Sequence, residues 1–248
     1  MKYLARIKYL GTDFHGFQFQ PEKRTVQGEL TRAAAEVFGE SARVTGCSRT
    51  DAGVHANGFA LTLEVEKSSL PPQKMPLAFA KHLPDDISLY HAEICPDDFH
   101  PRYDAVSKEY VYLIYNDSVA DPFFRDRSWF LPKRISDDGI KMMNDAAKKF
   151  IGKKDFYAFM SSGSDVEDTV REIYSLSVER RGKIIEVRIR ADGFLYNMVR
   201  IIVGTLVEVA FGRIKTESID KIIEEKDRSQ AGMTVPACGL YLDSVSYS

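Results

Sequence analysis

The chain has 248 residues, 44% of them hydrophobic and 28% charged, and a formal net charge of −2. This composition excludes a disordered, fibrous or membrane-embedded chain, and the length, at the upper end of what one core supports, allows one large domain or two ordinary ones. A charge so near zero withholds the basic excess by which nucleic-acid-binding proteins commonly announce themselves.

Lys2 to Leu10 alternates polar and apolar residues as a half-buried strand does, and the Gly, Asp and Pro residues of Gly11 to Pro21 predict a loop. The opening residues lack the apolar core and small-residue cleavage site of a signal peptide, and no apolar run approaches the roughly 20 residues of a membrane helix, so a cytoplasmic location is expected. Val26 to Phe38 reads as a helix, with Thr25 as N-cap, an Ala-rich middle and Gly39 beyond the end. Ala42 to Ser48 and Phe59 to Val65 read as strands, the second with Phe59, Leu61, Leu63 and Val65 on one face. A short helix from Leu77 to Leu83, closed by Pro84, and a strand from Ile87 to Ile94 complete the order βαββαβ.

After Pro96 to Tyr103 the chain begins again with a strand at Ala105 to Tyr115. Ser136, Asp137 and Asp138 open a helix whose residues Ile140, Met143, Ala147, Phe150 and Ile151 fall on one face. Strands follow at Thr169 to Glu179 and Lys183 to Arg190, turning at Gly182. A long apolar helix, Leu195 to Phe211, ends at Gly212; Thr216 is expected to cap a helix to Glu225, and Leu240 to Tyr247 is a last strand. This is βαββαβ again, with one helix added. The expected fold class is therefore α+β: two ferredoxin-like halves, residues 1–103 and 104–248, with mostly antiparallel sheets, a pseudo-twofold and a central cleft. The exposed sheet face of such units is also a platform for RNA, although the fold alone implies no function.

Cys47, Cys95 and Cys238 are odd in number, far apart and without a C-x-x-C pair, which argues for reduced thiols and against disulfides or a zinc site. A mildly acidic whole can still hold a basic cleft. Val178 to Arg190 has Arg180, Arg181, Lys183, Arg188 and Arg190 against Glu179 and Glu186; the alternative is a solvated hairpin with ordinary surface charge.

Gly46-Cys47-Ser48-Arg49-Thr50-Asp51-Ala52-Gly53-Val54-His55 lies between two predicted strands, and its composition predicts a tight loop. Composition alone would make Asp51 an Asx-turn residue bonded to its own backbone. Arg200 interrupts an otherwise apolar stretch, Met198 to Val207, where a guanidinium is costly unless a carboxylate meets it. It could also snorkel to solvent or pair with Glu208. Gly204, one turn on, would admit another chain segment at close range. Tyr110 shares a strand face with Val106, Tyr112 and Ile114, as a core tyrosine would. His55 is read as structural.

The loop closely resembles the G-R-T-D-A-G-V-H signature of TruA-type tRNA pseudouridine synthases, with Ser48 where bacterial members commonly have Gly. Tyr9-Leu10-Gly11-Thr12-Asp13-Phe14-His15-Gly16-Phe17-Gln18 is similar to the family's Y-D-G-x-x-Y-x-G-W-Q, with Leu10 for Asp and Phe17 for Trp. Asp98-Phe99-His100-Pro101-Arg102-Tyr103 with Tyr110-Val111-Tyr112, then Met198-Val199-Arg200-Ile201-Ile202-Val203-Gly204, then Gly239-Leu240-Tyr241-Leu242 resemble further family segments in family order. The resemblance implies that Asp51 is the catalytic nucleophile, that Tyr110 packs on the uracil ring and that Arg200 pairs with the Asp51 carboxylate. It implies a homodimer acting on tRNA at uridines 38, 39 and 40 of the anticodon stem-loop. Arg49 is expected to contact phosphate or the flipped nucleotide.

Pseudouridine formation involves no redox change and needs no phosphate energy, so no cofactor and no metal are expected. A single ionised carboxylate serves, either by adding covalently or by removing a ribose proton to give a glycal. Two other functions compete: a non-catalytic RNA-binding module, and a glycosidase or phosphatase. The first leaves Asp51 and Arg200 without a purpose, and a glycosidase needs a second paired carboxylate.

Overall fold

The computed structural model describes residues 1–163 and 166–248. The chain is mixed α/β, and no described helix is long and apolar enough to cross a membrane. In chain order, β1 (Lys2–Tyr9), α1 (Val26–Phe38), β2 (Arg43–Gly46), β3 (His55–Glu64), α2 (Met75–Phe79) and β4 (Ile87–Ile94) come first. They are followed by β5 (Ala105–Tyr115), β6 (Trp129–Phe130), α3 (Asp137–Lys148), β7 (Gly152–Asp155), β8 (Val170–Arg181) and β9 (Ile184–Ala191). Helices α4 (Met198–Ala210) and α5 (Ser218–Glu225) and strand β10 (Leu240–Tyr247) complete the chain. Two compact units result, one of Met1–Val106 with Tyr241–Ser248, the other of Ser107–Leu240.

In the first unit β1 is central, antiparallel to β4 on one side and to β3 on the other. The far half of β3 takes β2 antiparallel, Gly46 opposite Leu61, and its first residues take β10 parallel, Tyr241 opposite His55. The predicted order βαββαβ is present here. Thr25 caps α1, its hydroxyl accepting the Gly28 N–H at 3.2 Å, and the helix buries Val26, Leu30, Ala33 and Ala34. Phe59, Leu61, Leu63, Ile7 and Phe79 are fully buried in this unit's core, and so are Ala60 and Thr62 on the other face of β3, which is covered on both sides. Several boundaries differ from expectation. Helix α2 starts at Met75 after a 3-10 turn, because Pro76 is tolerated in a first turn, and it ends at Phe79 rather than Leu83. Strand β3 starts four residues early, at His55.

In the second unit β5, β9, β8 and β7 follow one another as antiparallel neighbours, and β6 adds in parallel to the end of β5. Strands β6 and β7 were not expected, so this half is more than βαββαβ with one added helix. Ser136 caps α3 through the Gly139 N–H at 3.0 Å. Met143, Ala146 and Ala147 are buried on α3, but Ile151 is 41% exposed because it lies past the helix end. No side chain caps α5; Thr216 contributes only its carbonyl, to the Ile219 N–H at 3.3 Å. Helix α4 buries ten of its residues, from Met198 to Val209, as its apolar sequence demands.

Candidate active site

The loop between β2 and β3 is built around buried anchors. Cys47 is fully buried and donates its N–H to the Ala60 carbonyl at 2.9 Å, ending the β2–β3 ladder. Thr50 is buried, its hydroxyl 2.7 Å from the Tyr9 phenol and its carbonyl accepting the Phe17 N–H at 3.0 Å. The Val54 N–H closes a tight turn on the Asp51 carbonyl at 3.2 Å. His55 follows, fully buried, its Nδ1 accepting the Gly11 N–H at 2.8 Å and its ring 4.6 Å from that of Tyr241. Between these anchors Asp51 is half-buried and Arg49 is exposed.

The opening loop, 10–25, lies directly against this turn. A Cβ on Gly11 would sit 2.0 Å from the Val54 carbonyl oxygen, so only glycine lets the two backbones approach this closely. The Phe17 ring stacks on Phe59 at 4.3 Å, and its carbonyl accepts the Gln27 N–H at 2.8 Å, fixing the loop to the start of α1. Arg24 meets Asp86 through two bonds of 2.8 and 2.9 Å and lies 4.1 Å over the Phe14 ring. The Asp86 carboxylate holds the Arg24 guanidinium above its ordinary pKa.

In the second unit Tyr110 lies on β5 opposite Ile189 of β9, buried, with Phe194 set edge-on at 5.0 Å. Its neighbour Tyr112 is fully buried and donates to the Pro236 carbonyl at 2.7 Å. Burial pushes the Tyr112 phenol up, nearby Cys238 adds to the rise and Arg200 opposes it. Arg200, in the first turn of α4, donates Nε to the Val235 carbonyl at 2.7 Å and Nη1 to Asn197 Oδ1 at 2.6 Å. Asn197 stands in the left-handed region, φ 60°, and reaches Ser161 Oγ at 3.0 Å. Glu208, the partner that α4 itself offered, is taken instead by Arg213. The segment expected to approach α4 at Gly204 is Gly232–Val235: a Cβ on Gly204 would lie 2.0 Å from the Met233 carbonyl oxygen.

The cations of the β8–β9 hairpin are largely neutralised within the second unit. Arg181 meets Glu179 at 2.8 Å, Lys183 meets Asp117 at 2.6 Å, and Arg188 meets Glu109 at 2.5 Å and Glu186 at 3.1 Å. Arg190 is tied to Ser107 at 3.0 Å and Arg180 to the Ile135 carbonyl at 2.6 Å. The solvated-hairpin account fits this segment better than a basic cleft. Among the described residues no three His, Cys, Asp or Glu side chains are grouped to hold a metal ion.

Sequence reasoning singled out Asp51 and Arg49, which share one loop, and Tyr110 and Arg200, which share one unit. It read His55 as structural, which agrees with the Gly11 N–H bond to its imidazole, and it missed the Tyr9–Thr50 brace. A hydroxyl pair whose members stand 41 positions apart leaves no periodic or compositional trace.

A family model described as tRNA pseudouridine synthase matches residues 5–104 and 146–248. The chain is 44% identical over 241 residues to the tRNA pseudouridine synthase A of Acetivibrio thermocellus, covering 97% of each chain. It is 41% identical to the tRNA pseudouridine synthase A of Bacillus subtilis over 249 residues, 100% of this chain and 99% of that one. Among solved structures it is similar to a chain of a Cbf5-Nop10-Gar1 complex, with TM-score 0.40 and 14% identity over 95% of this chain and 47% of that one.

Proposed function

Because the chain belongs to the tRNA pseudouridine synthase family, we propose that it isomerises uridines 38, 39 and 40 of the tRNA anticodon stem-loop with Asp51 as the nucleophile. The observation that carries this reading is the Arg49-Thr50-Asp51 turn: a half-buried carboxylate on a backbone held by buried side chains. A single loop carboxylate contributes little to a core. Such fixation of its backbone is what a reacting group requires.

The reaction breaks the N1–C1′ bond, turns the uracil and joins C5 to C1′; C5 gives up its hydrogen as a proton and N1 takes one up, so the product is an isomer of the substrate. Asp51 serves either by covalent addition or by taking a ribose proton. In this reading Arg200 supplies the positive charge that keeps a partly desolvated carboxylate ionised. Tyr110 supplies the ring against which the flipped uracil packs, and Arg49, exposed beside the nucleophile, contacts phosphate or the flipped nucleotide. No cofactor enters these steps. Residues 1–103 carry the nucleophile and 104–248 the ring and the cation, as two ferredoxin-like halves. The order β4-β1-β3-β2 in the first unit supports that plan. The working form is a cytoplasmic homodimer in which one tRNA touches both subunits.

The test uses tRNA transcribed with uridine tritiated at C5. We expect tritium in water, an intact strand and no free uracil. A binding module would release nothing, and a glycosidase would free labelled uracil and leave an abasic site; either result would overturn the proposal. Mapping the product strand then decides the positions: pseudouridine away from 38, 39 and 40 would refute that assignment alone.

A further inference from the structure

Of the loop that carries Asp51 the chemistry uses one carboxylate, yet the loop is fastened at three points to residues 9–17. Tyr9 and Thr50 join hydroxyls at 2.7 Å in a buried contact immediately before Asp51. The Thr50 carbonyl takes the Phe17 N–H at 3.0 Å. Beyond the turn, His55 Nδ1 takes the Gly11 N–H at 2.8 Å, which leaves the proton of the neutral ring on Nε2. The imidazole is seated by Tyr241, its cross-strand partner in β10. The main chain of Asp51 is thus gripped on both sides by buried side-chain bonds.

We propose that Tyr9 and His55 are positioning residues for the reaction, setting where the Asp51 carboxylate stands through Thr50 on one side and Gly11 on the other. The inference rests on Asp51 being the nucleophile. A misplacement of about 1 Å in a reacting group costs on the order of a hundredfold in rate. A buried bond lost on one side leaves its partner unsatisfied and the turn free to shift. Because the bonds hold Asp51 rather than the RNA, their loss should appear in kcat and not in KM.

The experiment compares Tyr9→Phe, Thr50→Val, the double variant, His55→Leu and His55→Asn, with Asp51→Asn alongside, by tritium release and by thermal unfolding. We expect kcat to fall at least about tenfold in Tyr9→Phe and Thr50→Val and about a hundredfold in His55→Leu, with KM for tRNA within about twofold. The double variant should be no worse than the poorer single one, since both remove one bond. His55→Asn, which returns an acceptor near the Nδ1 position, should recover most of the rate. Wild-type kcat in Tyr9→Phe and Thr50→Val, or failure of His55→Asn to exceed His55→Leu, would overturn the positioning role while Asp51→Asn stays inactive. Activity in Asp51→Asn would instead remove the nucleophile on which the inference stands.

Discussion

Gly204 admits no side chain because its missing Cβ is where the Met233 carbonyl passes, and the same contact decides how Arg200 is held. Thr205 takes the Gly232 N–H at 2.9 Å, and Arg200 holds the Val235 carbonyl one turn earlier. A methyl at Gly204 must push that strip of backbone away from α4. We expect Gly204→Ala to cost about 1–3 kcal/mol, as overpacking does, and to lower the melting temperature by several degrees. Turnover should fall with it, since the displaced strip carries one of the Arg200 partners. Thermal unfolding with and without the substitution checks this; an unchanged melting temperature would mean that the strip moves aside freely. Asp51→Asn should behave in the opposite way, abolishing tritium release while leaving the melting temperature unchanged. More than a trace of remaining release would remove Asp51 from the mechanism.

Helix α1 shows what a local signal can specify. Its hydroxyl cap, its Ala-rich interior and the glycine after its end are all within one short window of sequence, and the observed bounds agree with the predicted ones. Thr25→Ala should cost about 1 kcal/mol of stability, read as a lower urea midpoint with an unchanged slope; no shift would show that the buried face holds the helix without its cap. Elements fixed by distant partners were not legible in this way. Strand β7, Gly152–Asp155, has no apolar alternation and exists because β8 offers it a ladder. The start of β3 hid behind His55, Asn57 and Gly58, which read as loop until β10 pairs beside them and Asp243 receives the Asn57 amide at 2.9 Å. The site follows the same division. The composition of the Asp51 turn is local and could be seen, whereas the Tyr9–Thr50 and Gly11–His55 bonds join residues more than forty positions apart.

A formal charge of −2 must be reconciled with a polyanionic substrate. The clearest cationic run in the sequence, 180–190, does not provide the answer, because Arg181, Lys183 and Arg188 already face carboxylates within their own unit. An Arg so paired has little charge left for phosphate, while an exposed Arg beside the reacting loop, such as Arg49, can spend its full charge there. Affinity for tRNA should therefore fall linearly in log K against log salt, by a slope of roughly 0.7–0.9 per phosphate neutralised. Arg49→Ala should reduce that slope by about one, weakening binding most at low salt. Arg181→Ala and Arg188→Ala should leave both the slope and the affinity within about twofold of the parent. Filter binding from about 50 to 200 mM salt separates the cases. An affinity flat with salt would count against RNA as the partner, and a loss at Arg181 or Arg188 equal to that at Arg49 would mean that the hairpin exchanges its carboxylates for phosphate on binding.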